Sequence, residues 1–424
     1  MIRPERMKNR ISELNRIGYN PATGGVTRLG FTAEEQEAHR LICSWFADEK
    51  RVSIRQDACG NTILRMEGDG RRPAIAIGSH VDTVTNGGKY DGQAGVISGL
   101  EVLSCLLENN LTLPFPFEVI VFSSEESSRF GISTVGSKGM AGMLKEIEWD
   151  VYEDTDGIGL KQAMEAYGLD LSRLAEAERA SDDVHLFLEL HIEQGSVLEE
   201  AQLPVGLVTA ISKPWRLRVT FEGKAAHSGS TPMNRRRNAL VTAAEYMLFV
   251  DKKAHEWSRR EPLVASVTMA NIHPNNMNVI PGSTVLGVDI RSHKPGIVRA
   301  FVKELSTEWQ AVWNEKWDRQ GFRMHTEILI QDEPIQLDPQ VVKQLEESCL
   351  EAGVTYTKLP SGAGHDVMNM ASRFRAGLIF VPCPGGVSHH PEEGIDENGW
   401  IKGTEILLRT VLKENGYKLD ARER

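Results

Sequence analysis

The chain has 424 residues, 41% of them hydrophobic and 25% charged, and a formal net charge of −11. Such values predict a soluble globular protein of two to three domains, and the acidic balance excludes a broad basic footprint for nucleic acid. Five scattered cysteines with no Cys-x-x-Cys pair exclude a disulfide framework and a thiolate zinc site. No run approaches the ~18 apolar residues of a membrane span. The charged start, Met1 to Lys8, has no apolar stretch behind it and predicts no secretory signal. A cytoplasmic protein with neither a membrane nor a nucleic-acid partner is expected.

In chain order, apolar runs predict strands over 74–77, 117–122 and 184–190, with a helix over 96–107 after the first. Strand–helix alternation of this kind argues for an α/β sheet covered on both faces. From Trp215 the pattern changes. The order becomes a strand over 215–222, a helix over 238–257, strands over 263–272 and 284–291, a helix over 296–317 and a strand over 323–330. That β-α-β-β-α-β order is a compact sandwich able to stand as its own domain. The α/β pattern resumes after Asp332, with a strand over 376–381 and a closing helix over 401–412. The predicted architecture is therefore a large α/β domain, residues 1–211 and 332–424, with a small β-α-β-β-α-β domain, residues 212–331, inserted into it.

Residues able to do chemistry cluster just past the strands of the large domain. The segments are Gly-Ser-His80-Val-Asp82, Ser-Ser-Glu125-Glu126, His191-Ile-Glu-Gln194-Gly and, after a longer loop, Ser-His389-His390-Pro. In open α/β sheets ligands collect at the carboxyl ends of strands, so these residues can converge on one crevice. The turn Asn86-Gly-Gly-Lys-Tyr-Asp91-Gly92 adds a further carboxylate. Histidine and carboxylate together suit divalent transition metals. Two such ions ~3.5–4 Å apart activate a water and polarise a carbonyl, and a free glutamate beside them can serve as general base and then acid. Taken singly, a His-x-Asp is ordinary surface or core, and paired glutamates are usually a solvated face. Five such pieces at successive strand ends are hard to obtain by accident.

These segments, together with Gly24-Gly-Val-Thr-Arg-Leu29 and Glu125-Glu-Ser-Ser-Arg129-Phe130, resemble the amidase/hydantoinase/carbamoylase family of dinuclear metallohydrolases over nearly the whole chain. The resemblance implies two divalent ions per subunit (zinc, manganese, cobalt or nickel). His80, Asp91 and His191 would hold one, and Asp91, Glu126 and His389 the other. It makes Glu125 the general acid/base and Asp82 the group that orients His80. The doubled His389-His390 leaves the ligand open on sequence, and spacing to Pro391 favours His389.

In the small domain, Ala226-His227-Ser, Asn278-Val-Ile-Pro and Asp289-Ile-Arg291 match family segments of a lid and dimerisation domain. The resemblance assigns substrate binding to Gln194, Arg216, His227, Asn278, Arg291 and Gly364. Arg291 would clamp a carboxylate, and His227 would approach the substrate carbonyl from the second subunit of a homodimer. Ser127 and Ser228-Gly229-Ser230 depart from the family's usual residues without removing a ligand. The implied activity is hydrolysis of the carbamoyl C–N bond of an N-carbamoyl-L-amino acid. Pro214-Trp215, where allantoate amidohydrolases tend to carry polar residues, favours an apolar substrate side chain. Gly362-Ala-Gly364-His365-Asp366 instead resembles the allantoate group. A dinuclear aminopeptidase or dipeptidase and a non-catalytic dimeric binder are the remaining alternatives.

Overall fold

The computed structural model describes residues 2–70 and 73–417, the side chain of Glu146 apart. It divides into two compact units. The larger runs up to Thr209 and takes in Gln336–Leu359 and the chain from His365 onward; the smaller is Ala210–Ile335 with Pro360–Gly364.

The larger unit is built on a nine-stranded sheet. Its strands are β1 (Val52–Gln56), β2 (Thr62–Met66), β3 (Ala74–His80), β4 (Phe117–Phe122), β5 (Val184–Ile192) and β6 (Val205–Ile211), with β13 (Ile335–Gln336), β14 (Tyr356–Ser361) and β15 (Ala376–Val381) from later in the chain. The central order is β4-β3-β5-β15, all parallel. Every residue of β3, β4 and β15 is buried, as strands covered on both faces require. Parallel pairing has one consequence that matters here: the carboxyl ends of all four strands lie along the same edge. The chain leaves β3 for β4 on one side, while β5 lies on the other, so the crevice at a change of strand order opens between β3 and β5.

The helix Gln93–Glu108 follows β3 and is almost wholly buried. The closing helix Glu397–Glu414 packs against it, and the Trp400 indole donates to Ala94 O at 3.1 Å and Ser98 Oγ at 2.9 Å. One buried carboxylate in the middle of β4, Glu118, is neutralised by Arg65 at 2.6 Å and Arg179 at 3.0 Å.

The smaller unit has β7 (Lys213–Glu222), β8 (Ala226–His227), β9 (Val264–His273), β10 (Val279–Ile280), β11 (Ser283–Ser292) and β12 (Arg323–Gln331). The antiparallel sheet β12-β7-β11-β9 carries the helices Ala239–Ser258 and Ile297–Val312, and a two-stranded ribbon pairs β8 with β10. Alternation is strict on β7: Trp215, Leu217, Val219 and Phe221 face the core. The helices meet them with Tyr246, Val250, Phe301, Leu305 and Trp309. The expected helix over 296–317 ends as an α-helix at Val312 and continues as a π-helical turn, Trp313–Trp317. Trp309, Trp313 and Trp317 recur every fourth residue, and a wider turn keeps that row on the core when a 3.6-residue turn drifts away from it.

Trp215 overturns one sequence expectation. Its side chain is buried in this core and its indole donates to Asp332 O at 3.0 Å, so it carries no information about a substrate side chain. The strand period puts Arg216 and Arg218, not Trp215, on the open face.

Phe221 lies against Tyr246, Trp309 and Trp313, with ring centroids 5.5, 6.5 and 6.0 Å away. Phe221→Ala should cost about 3–5 kcal/mol. Hydrogen exchange is expected to lose protection in β7 and β11 while β3 and β5 remain protected.

Candidate metal centre

His80 is the last residue of β3, and His191 lies one residue inside the end of β5 rather than after it. Both are buried. Asp91 sits in the turn before the helix Gln93–Glu108. Gly92 has φ 67°, and a Cβ there would lie 2.3 Å from His80 Nε2, so only glycine lets this turn close on the histidine. Asp91 Oδ1 is 3.4 Å from His80 Nε2 and 3.1 Å from His191 Nε2. Its other oxygen, Oδ2, is 3.4 Å from His389 Nε2, which is itself 3.2 Å from Glu126 Oε1. The structure thus brings together His80, Asp91 and His191 as one group and Asp91, Glu126 and His389 as a second, each with its ligand atoms within 4.8 Å of one another. Asp91 belongs to both. His390 is not in either group; its Nδ1 faces Glu392 at 3.9 Å.

The remaining hydrogen bonds aim these side chains. His191 Nδ1 lies 2.8 Å from Ile192 O, and His80 Nδ1 lies 3.1 Å from Asp82 O and 3.3 Å from Asp82 Oδ1. In each ring a proton on Nδ1 leaves the Nε2 lone pair for a metal. Asp82 has a second task. Its carboxylate accepts the backbone N–H of Glu125 at 3.0 Å and of Glu126 at 2.9 Å, so one buried group fixes the loop that carries both glutamates. Those glutamates are buried, not a solvated face.

The electrostatics fit a cation. Asp91 and Glu126 beside it push His389 up to about 11. Burial opposes protonation of His80, yet Glu125, Asp82 and Asp91 together hold it well above the usual histidine range. Carboxylates in excess of positive charge, three imidazoles with Nε2 turned toward them and no lysine or arginine within either group make a donor set suited to divalent metals. Glu125 is raised as well, which for a carboxyl favours the neutral form. Burial and the charges of Glu126, Asp366 and Asp82 push its carboxyl well above the usual carboxylate range, with His80 pulling against them.

Further residues surround this centre, and sequence reasoning missed the roles of the acids among them. Gln194, expected to bind substrate, donates from Nε2 to Asp91 Oδ2 at 2.6 Å and reaches Ser388 Oγ at 3.3 Å. The His365 ring lies 4.4 Å from that of His191. Glu189 accepts from Ser79 Oγ and from Val367 N, both at 2.8 Å, tying the segment after His365 to β3 and β5. Glu35 accepts the backbone N–H of Ser124, next to Glu125, at 2.7 Å. Glu393 lies under the Asp91 turn. A lone acid distant in sequence gives no signal of such a contact.

The expected substrate residues of the smaller unit form two sets. His227 and Asn278 share the β8–β10 ribbon, where His227 pairs with Val279 and Ser228 N donates to Asn278 O at 2.9 Å. His227 Nδ1 accepts from Gly229 N at 3.0 Å and Ser230 N at 3.2 Å, which fixes the tautomer with its proton on the exposed Nε2. On the sheet, Asp289 takes Arg216 Nε at 3.0 Å and Arg291 Nε at 2.8 Å. Arg291 Nη1 donates to Gly362 O at 3.0 Å, in the segment that also contains Gly364.

A family model described as Peptidase family M20/M25/M40 matches residues 76–413. An N-carbamoyl-L-amino acid amidohydrolase from Geobacillus stearothermophilus is 38% identical over 97% of this chain and 98% of its own length. An allantoate amidohydrolase from Bacillus subtilis is 33% identical over 92% and 93%. The crystal structure of an amidase of the hydantoinase/carbamoylase family from Burkholderia multivorans superposes with a TM-score of 0.86 at 30% identity, covering 99% of both chains. The chain belongs to the M20/M25/M40 peptidase family, in its hydantoinase/carbamoylase branch of amidohydrolases.

Proposed function

We propose that this enzyme hydrolyses the carbamoyl C–N bond of N-carbamoyl-L-amino acids, releasing the amino acid, CO2 and ammonia, with two divalent ions per subunit. The observation that carries the reading is Asp91, whose two oxygens face separate histidine groups. His80, Asp91 and His191 would hold one ion, and Asp91, Glu126 and His389 the other. The bound ions would supply an activated water and a polarised ureido carbonyl. Glu125 takes the proton of the attacking water and returns it to the departing nitrogen, a task suited by its raised pKa. His227 donates from Nε2 to the developing oxyanion, with Asn278 beside it. Asp82 holds Glu125 in place.

Arg291 would bind the substrate carboxylate. Guanidinium carries five N–H groups; Asp289 and Gly362 engage three of them, leaving one on each terminal nitrogen for a bidentate grip. Arg216, held by the same aspartate, adds a second positive charge, and Gly364 and Gln194 complete the set. Five free cysteines suit the reducing cytoplasm we propose for it. No helix among the described residues is long and apolar enough to cross a membrane.

We also propose a homodimer joined through the small unit. Its edge strand β9, Val264–His273, carries no Lys, Arg, Asp or Glu and presents exposed Val264 and Met269. The neighbouring helix exposes Val241 and Leu248. The opposite edge, β12, carries Arg323 and Glu327. An uncharged edge is suited to pairing with a second copy by two-fold symmetry.

Ammonia release from N-carbamoyl-L-amino acids should exceed that from allantoate, plain dipeptides should not be cleaved to free amino acids, and an α-carboxamide analogue should be a poor substrate. Arg291→Ala should hurt the acid far more than the amide, whereas equal losses would make Arg291 structural. Glu125→Gln should retain metal but lose on the order of 10²–10⁴ in turnover; near-normal turnover would refute its role. Mixing inactive His227→Ala chains with inactive Glu125→Gln chains under subunit exchange should restore activity if His227 serves the other subunit. Proven exchange without recovery would return His227 to its own chain.

A further inference from the structure

One carboxylate spans the two loops that supply the second ligand group. Glu393 is buried. Its Oε1 accepts the backbone N–H of Tyr90 at 2.8 Å and of Asp91 at 3.0 Å. Its Oε2 accepts the backbone N–H of His389 at 3.2 Å and faces Ser388 Oγ at 3.2 Å. The two loops are about 300 residues apart in sequence, and this single side chain takes main-chain donors from both.

The loop it holds is one that does not hold itself. His389 has φ 58°, a left-handed conformation for a residue with a Cβ. Such a backbone is unfavourable and persists only where its surroundings over-determine it. The Glu393 acceptor supplies part of that constraint through the His389 N–H. The Asp91 turn is shaped around the same carboxylate. A Cβ built on Gly88 would fall 2.0–2.3 Å from the Glu393 carboxyl atoms. Gly88 is not among the residues with positive φ, so its missing side chain serves to admit Glu393 rather than to permit an unusual backbone.

The dependence is unequal between the ligand groups. His80 and His191 are carried by β3 and β5 and are aimed by Asp82 and by the Ile192 carbonyl. Glu393 holds only Asp91 of the first group, by its backbone amide, but both Asp91 and His389 of the second. We propose that Glu393 is a positioning residue that selectively assembles the Asp91–Glu126–His389 metal site. The mechanism is acceptor geometry: three backbone N–H donors converge on two carboxylate oxygens. An amide in its place would turn a donor NH2 toward at least one of those donors, and that loop would move away.

The inference rests on the two-ion reading, and titration of metal-free protein with Co²⁺, followed by its visible absorption and by bound-metal analysis, separates the two. Wild type should take up two equivalents. Glu393→Gln should bind the first as wild type does and the second at least about tenfold more weakly, the loss usual for groups that orient ligands. Gly88→Ala should reproduce this with Glu393 intact, and it decides the matter if Glu393→Gln does not fold. In the Glu393→Ala background, Gly88→Ala should add little, because the collision is gone. If both variants bind two ions with wild-type affinity, or lose both ions alike, Glu393 has no selective role. Wild type binding fewer than two ions overturns the two-ion reading, and the inference with it.

Discussion

A buried carboxylate with both oxygens committed is the constraint around which the larger unit is arranged. Asp91 meets His80 and His191 through Oδ1 and His389 through Oδ2, with Gln194 and Ser388 also donating to Oδ2. Removing such a group from water is costly unless every lone pair finds a partner. The partners come from three parts of the chain, and parallel pairing of β3, β5 and β15 is what delivers them to the same sheet edge.

Around that centre the fold repeats one device. A buried carboxylate accepts the backbone amides of a loop and so aims the side chains the loop carries. Asp82 does this for Glu125 and Glu126, Glu35 for Ser124, Glu189 for Val367, and Glu393 for Asp91 and His389. Amide donors suit the purpose because they stabilise the anion without placing another mobile charge near the ligands. Crowding so many acids together nevertheless has a cost. Burial, helped by Asp82, pushes Glu35 up to about 8, and burial with Glu189 does the same to Asp366. The charge excess is concentrated where the ligand oxygens face one another, and a divalent cation would relieve it there.

The smaller unit obeys a different rule. Its sheet has a covered face of Trp215, Leu217, Val219 and Phe221 and an open face bearing Arg216, Asp289 and Arg291. Asp289 spaces the two guanidiniums and offsets part of their charge, which keeps both cations ordered on an exposed surface. In the proposed reading, specificity for a carboxylate-bearing substrate would rest on these two arginines joined by one aspartate.

Much of this was legible in the residues themselves. Fully apolar runs can only be buried strands, and helical spacing identified the two helices of the inserted unit, so the α/β class and the β-α-β-β-α-β order came from periodicity. The candidate ligands His80, Asp91, Glu126, His191 and His389 stood out because each follows or ends such a strand, or sits in a glycine-rich turn. The face of Trp215 was also implicit in the period of two, although its burial in the core required the helices to be in place. What only the tertiary structure decided are contacts between distant segments. Glu35, Glu189 and Glu393 have no local sequence pattern that points to these partners, and their hydrogen bonds reach residues 89, 178 and 302 positions away. Local sequence sets which backbone a segment prefers. The acceptor for its unpaired amides is set by whatever the rest of the chain brings alongside, and no spacing rule encodes that.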